Sequence, residues 1–324
     1  MKIKNIAILG PRGNVGSALI AELLKDGDRF KITAISRPTS SYTTSANSNI
    51  VAKSADFSSL DSLRDAFTGQ DAIVNCVSGG ATHYEPSKLI IDAAVAAGVG
   101  LYFANEFVGS LTSERFKRLP ESYVGAKVRI RQYLEGLGKE GKIKWTALNG
   151  GPFFDMWLMK GPAGFDIPNR QARLYGAGDN ALYWTPLPTI ALAAANMLRN
   201  PTPILNRPIH ICPLPTLTQN AILTTLESEL NTKFTITHVD VAKMNKNARI
   251  ALEKGEIMKA MKGLTISGQF YEGDYDNDFS ALVENGVVGV EEMSIEEAVR
   301  DAIERWGEST PVVEGMYNVE PCEV

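Results

Sequence analysis

Cysteine and histidine are scarce in this chain, with three of each among 324 residues. Cys76, Cys212 and Cys322 lie far apart and form no C-x-x-C pair, which argues against a disulfide framework and against a zinc site. No histidine stands at metal-ligand spacing from another. No apolar run approaches the roughly 20 residues of a membrane helix. The first residues lack the apolar stretch and small-residue site of a secretory signal. Basic residues are scattered and the net charge is −4, so the electrostatic footprint of a nucleic-acid or membrane-surface binder is missing. These absences lead to the expectation of a reduced, cytoplasmic protein, monomeric or homodimeric, with neither nucleic-acid nor membrane partner. At 44% hydrophobic residues the chain has enough apolar side chain for a large core.

What is present is a regular alternation. Ile3–Leu9, Lys31–Ser36, 50–53, 71–77, 99–104 and 143–148 are short apolar runs rich in β-branched residues. Between them lie amphipathic stretches, among them Asn14–Leu24, Leu60–Phe67, 86–98 and 121–137. This order predicts a Rossmann-type doubly wound parallel sheet over residues 1–155. From Gly151 to Pro188 glycine, proline and aromatic residues crowd together. Residues 156–324 are then expected to form a smaller α/β substrate region, some of whose elements return to the main sheet.

The strongest motif is Gly10-Pro11-Arg12-Gly13-Asn14-Val15-Gly16, between the first strand and the first helix. Glycines there permit a tight turn, let backbone approach a pyrophosphate and let helix pack on strand, while the helix N-terminus attracts the anion. The second strand ends in Ser36-Arg37, where an NAD site would carry an acid. Arg37 and Arg12 are placed to pair with a 2′-phosphate, with Thr39 and Ser40 as further donors, which favours NADP(H). Asp56 and Phe57 follow the third strand, where adenine usually lies. Ser78-Gly79-Gly80 follows the fourth, where small residues admit a dinucleotide.

Tyr123 and Lys127 form a Y-x-x-x-K pair on one helix face after the fifth strand. The ammonium suits a nicotinamide ribose and, beside a phenol, makes proton transfer easier. Ser110 lies thirteen residues before Tyr123, a spacing that would complete a Ser-Tyr-Lys set for alcohol oxidation. His210 and His238 lie in strand-like runs and read as structural. His83 follows the fourth-strand loop.

Together with Tyr102–Phe107, Lys127–Arg131, Gly151–Trp157 and Leu217-Thr218, these motifs resemble the NmrA-like and isoflavone-reductase-like atypical short-chain dehydrogenase/reductases, over most of the chain. The likeness is greatest to the fungal isoflavone-reductase-like proteins. The resemblance implies NADPH-dependent reduction of small hydrophobic, often aromatic, molecules, with Lys127 catalytic. It also implies that the stretch from Asn149 to Phe154 lines the nicotinamide and that Phe153, Phe154 and Trp157 begin the substrate wall. Asn105 occupies the topological place of the superfamily serine, and Tyr123 receives no role from the family pattern. Some NmrA-like relatives are regulators, so a non-catalytic NADP(H)-binding redox sensor is the alternative.

Overall fold

A computed structural model describes residues 1–40, 42–44, 49–274 and 277–319, except for the side chains of Arg115, Arg118, Ser122 and Tyr123. The Tyr123 side chain and Cys322 therefore lie outside the described residues.

The N-terminal half runs β1 (Asn5–Leu9), α1 (Asn14–Leu24), β2 (Lys31–Ser36), β3 (Ile50–Ser54), α2 (Leu60–Phe67), β4 (Ala72–Asn75), α3 (Tyr84–Ala96), β5 (Leu101–Ala104), α4 (Glu114–Arg118), α5 (Ala126–Lys139) and β6 (Lys144–Asn149). The remainder comprises α6 (Phe154–Lys160), β7 (Phe165–Asp166), β8 (Gln171–Tyr175), α7 (Leu187–Arg199), β9 (Arg207–His210), α8 (Gln219–Glu229), β10 (Thr235–Val239), α9 (Val241–Glu253), α10 (Ile257–Phe270), α11 (Ile295–Trp306) and α12 (Glu314–Tyr317).

Seven strands form a sheet in the order β3-β2-β1-β4-β5-β6-β9, every neighbouring pair parallel. Side chains alternate between its faces, as the period of two requires. Ile6 and Ile8 pack with Val15, Leu19 and Leu23 of α1 and with Ala194 and Leu198 of α7. Ala7 and Leu9 pack with Leu63 and Phe67 of α2, Ile90 and Ala94 of α3, and Leu134 of α5. Helices thus cover both faces, which explains why the central strands read as unbroken apolar runs. The chain reverses direction between β1 and β4, and a crevice opens beyond the strand ends at that point.

The C-terminal part has its own core around Phe154, Phe165, Trp184, Leu226, Phe270 and Val299. It wraps the small sheet β10-β8-β7 with α6, α8 and α11. Residue 155 is not a clean divide, because α7 and β9 belong to the first sheet. The element predicted over 121–137 is resolved into one π-helical turn (Glu121–Gly125) and α5, with the short α4 before it. No helix among the described residues is long and apolar enough to cross a membrane.

Candidate functional site

The crevice is built first from the glycine loop. Gly10 has φ +75°, and a Cβ there would lie 2.5 Å from the Cys76 carbonyl oxygen. Only glycine allows that turn and that contact together. The Gly13 N–H donates to the Gly10 carbonyl at 3.0 Å, closing the loop. No side chain caps α1, so its leading N–H groups and positive dipole end are available to an anion. A cavity of about 270 Å³ lies here, lined by Gly10, Arg12, Gly13, Ser36, Arg37, Phe57 and Ser78. A second, of about 780 Å³, shares Arg37 and Phe57 and adds Thr39, Asp56 and Lys88. Arg37 is exposed and has no carboxylate partner among the described residues. Asp56 accepts from the backbone and hydroxyl of Ser58 at 2.9 and 2.6 Å, and these bonds hold its carboxyl below the usual range.

Two of the residues expected at the cofactor offer it only their backbone N–H groups at the start of α1. Val15 is buried in the sheet core, facing away from the loop. Gly16 is buried against the glycine turn itself, where a Cβ would lie 2.3 Å from the Gly10 carbonyl oxygen. Asn14, the first residue of α1, is exposed and borders a different cavity, described below.

The second component is a buried polar corner beyond β5. The turn Asn105-Glu106-Phe107 carries Phe107 at φ +42°, uncommon for a bulky residue. The Lys127 ammonium is seated on this turn. It donates to the Asn105 carbonyl at 2.6 Å, the Glu106 carbonyl at 2.8 Å and the Asn105 side-chain oxygen at 3.2 Å. The Asn105 amide donates in turn to the Val77 carbonyl at 2.6 Å. Burial disfavours the charged lysine and pushes it down to about 8, with the Glu106 carboxylate opposing the shift. Asn149 is wholly buried and donates to Glu106 at 2.8 Å. Its side chain belongs to this corner, not to the lining of a cavity.

A third component is apolar. A cavity of about 170 Å³ is lined by Phe107, Val108, Val124, Gly151, Trp157, Tyr183, Met261, Gln269 and Phe279. Gly151, at φ +69°, is pressed so closely to Tyr183 that a Cβ would overlap its carbonyl. An outer cavity of about 530 Å³ shares Trp157, Met261 and Thr265 and opens past Met156, Lys160, Lys262 and Asn14. Trp157 thus stands between the two. Phe154, expected in the substrate wall, is fully buried in the C-terminal core. Trp157, one turn further along α6, packs partly on the same core and also reaches the two cavities. Phe153 is half-buried against the main sheet core and lines neither of these cavities. The Ser110 hydroxyl is bonded to that of Thr112 at 2.7 Å within its own turn. His210 is buried and His238 is exposed on β10.

Residues of α10 were missed from the sequence, yet Met261, Thr265 and Gln269 all face the inner cavity. Their i, i+4, i+8 spacing was the available signal.

This glycine cradle on a doubly wound sheet, beside a buried lysine and an apolar chamber, defines a dinucleotide-binding α/β oxidoreductase. A family model described as NAD(P)H-binding matches residues 10–158. The chain is 28% identical over 305 residues to oxidoreductase aprR of Aspergillus flavus, covering 92% of this chain and 98% of that protein. It is 29% identical over 207 residues to the NmrA-like family domain-containing oxidoreductase lnaB of Aspergillus flavus, covering 56% of this chain and 59% of lnaB. Its fold matches the structure of AtPrR2 with NADP+ and (+)pinoresinol at a TM-score of 0.70 and 17% identity, over 93% of this chain and 99% of that one. The protein is an NAD(P)H-binding oxidoreductase, and it is similar to the NmrA-like and isoflavone-reductase-like proteins.

Proposed function

We propose that the protein is an NADPH-dependent reductase of a small, apolar, aromatic molecule, acting in the cytoplasm, with Lys127 as the proton donor. The observation that carries this reading is the position of the lysine seat. Asn105 reaches back to Val77 in the wall of the glycine-loop cavity, and Phe107 lines the apolar one. The turn that seats the buried ammonium is thus tied to the wall of the glycine-loop cavity on one side and to the apolar cavity on the other, while Lys127 itself lines neither.

The loop residues Gly10, Arg12 and Gly13 would hold the pyrophosphate, Arg37 a 2′-phosphate, and Asp56 and Phe57 the adenosine end. NADPH, when bound, supplies the hydride. Lys127 supplies the proton from Nζ to the substrate atom that gains negative charge. Its longest bond, to the Asn105 side chain, is the one a substrate acceptor would replace. Trp157, Tyr183 and Phe279 exclude water and hold the ring. The reducible group is an enone C=C, a carbonyl, an imine or a benzylic ether. AtPrR2, seen with (+)pinoresinol, is an example of a benzylic ether ligand in this fold.

The test is NADPH consumption by the pure protein with representatives of those four groups. Turnover with one class supports the reading. Tight NADPH binding with no turnover across the panel would replace it with the redox-sensor reading. Given a substrate, Trp157→Ala is expected to raise KM about 10- to 100-fold with little change in kcat, the loss of one aromatic wall of about 1.5–3 kcal/mol. An unchanged KM would remove Trp157 from the substrate wall.

A further inference from the structure

Lys127 does not hold its seat alone. Arg131, one helical turn along α5, donates through Nε to Glu106 at 2.8 Å and forms a second bond to the other carboxylate oxygen. Asn149 donates to that same oxygen from the end of β6. Glu106 and Arg131 are 2% and 7% exposed, so this is a buried, bidentate ion pair with a third donor. The two α5 residues therefore grip one turn in two ways, Lys127 by its carbonyls and Arg131 by its carboxylate. The turn needs gripping, because Phe107 holds a left-handed conformation that persists only where the surroundings impose it. Its other ties are the Phe107 N–H to the Leu148 carbonyl at 2.9 Å and the Gly151 N–H to the Val108 carbonyl at 3.0 Å.

We infer that the Glu106–Arg131 pair is the positioning device for Lys127, fixing the turn that presents two carbonyls to its ammonium and setting the charge beside it. The inference deepens the reading of Lys127 as proton donor and rests on it for its catalytic consequence.

The charged groups around Lys127 in this corner come from four segments. Glu106 belongs to the turn after β5, Arg131 to α5, His210 to β9, where it is the register partner of Asn149, and Glu284, whose N–H donates to the His210 carbonyl at 2.8 Å, to the segment between α10 and α11. His210 feels both members of the pair, and burial pushes it down to about 4, so it is neutral near pH 8. The pair itself is therefore the charge that can be edited. Removing the carboxylate leaves a cation beside Lys127, and removing the guanidinium leaves an anion.

The test is the titration midpoint of Lys127, read from its side-chain NMR signal in the folded protein with NADP⁺ bound. The alkaline limb of kcat is read alongside it. Glu106→Gln, which keeps hydrogen-bonding capacity at the site, is expected to lower the midpoint by about one pH unit. Arg131→Met is expected to raise it. Arg131→Lys is expected to restore most of the wild-type value. A merely structural pair would shift both variants alike or neither, and either result overturns the inference. If Arg131→Met does not fold, the Glu106→Gln shift and the Arg131→Lys value still decide. If the midpoints move in opposite senses but kcat ignores them, the positioning stands and the proton-donor reading falls.

Discussion

Lys127→Ala is expected to lower turnover by about 10²- to 10⁴-fold, the usual contribution of a positioned acid. NADPH binding should change little, since the proposed holders of the cofactor are the glycine loop and Arg37. The direction of the pH dependence follows from the same group. The ammonium is the donating form, and burial has brought it down to about 8. Rate should be flat below that value and fall as pH rises through it. A variant without Lys127 should lose this alkaline limb together with the rate. The substitution also leaves the Asn105 and Glu106 carbonyls without their donor. An unsatisfied buried acceptor costs about 1–3 kcal/mol, partly offset because a buried charge is removed as well. Lys127→Met, which keeps the aliphatic stem, separates the two effects. If Met restores the melting temperature but not the rate, the loss is chemical. If Lys127→Ala turns over normally while folded, the lysine is structural and another donor must be sought.

Arg37→Ala should change cofactor preference more than rate. Arg37 stands at the end of β2, exposed, in the wall shared by the two crevice cavities. A 2′-phosphate held there by charge-assisted bonds of about 1.5–3 kcal/mol implies a loss of about 10- to 100-fold in NADPH affinity. NADH has no such phosphate and should bind as before. The comparison of the two Kd values is therefore internally controlled. Equal weakening of both would mean that Arg37 shapes the crevice generally, and the basis for NADP(H) selectivity would move to Arg12.

Much of the first layer was legible because two signals coincide there. The residues from Ile6 to Leu9 alternate between two covered faces and so appear as one apolar run, and glycine follows at once. Leu60–Phe67 was legible from its helical period and serine cap, and Ser59 does accept from the Ser62 N–H. The region from 151 to 188 was not. Its aromatic residues serve two masters, with Phe154 and Trp184 in a core and Trp157 and Tyr183 at a cavity. Neither role has a period of its own in so short a stretch, so α6 and the β7–β8 pair were invisible. At the site, Lys127 could be picked out by position after the fifth strand, but Glu106 could not. An acid in a turn reads as solvent-exposed until the fold shows it buried beneath α5. Arg131 had a trace, the i+4 spacing from Lys127 that puts both on one helix face.

The insertion of β9 at the edge of the main sheet has a consequence for the order of events at the ribosome. Thr146–Asn149 pair with Arg207–His210, partners some sixty positions apart. When β6 emerges, its outer edge has no neighbour, and the apolar underside of α1 still lacks α7. An unpaired parallel edge is a template for the wrong partner. The nascent chain must therefore wait through α6, β7 and β8 before its own nucleotide-binding layer can close. A fragment ending near 155 would carry the whole glycine cradle and still present a raw flank, so the two halves are one unit of synthesis as well as of structure.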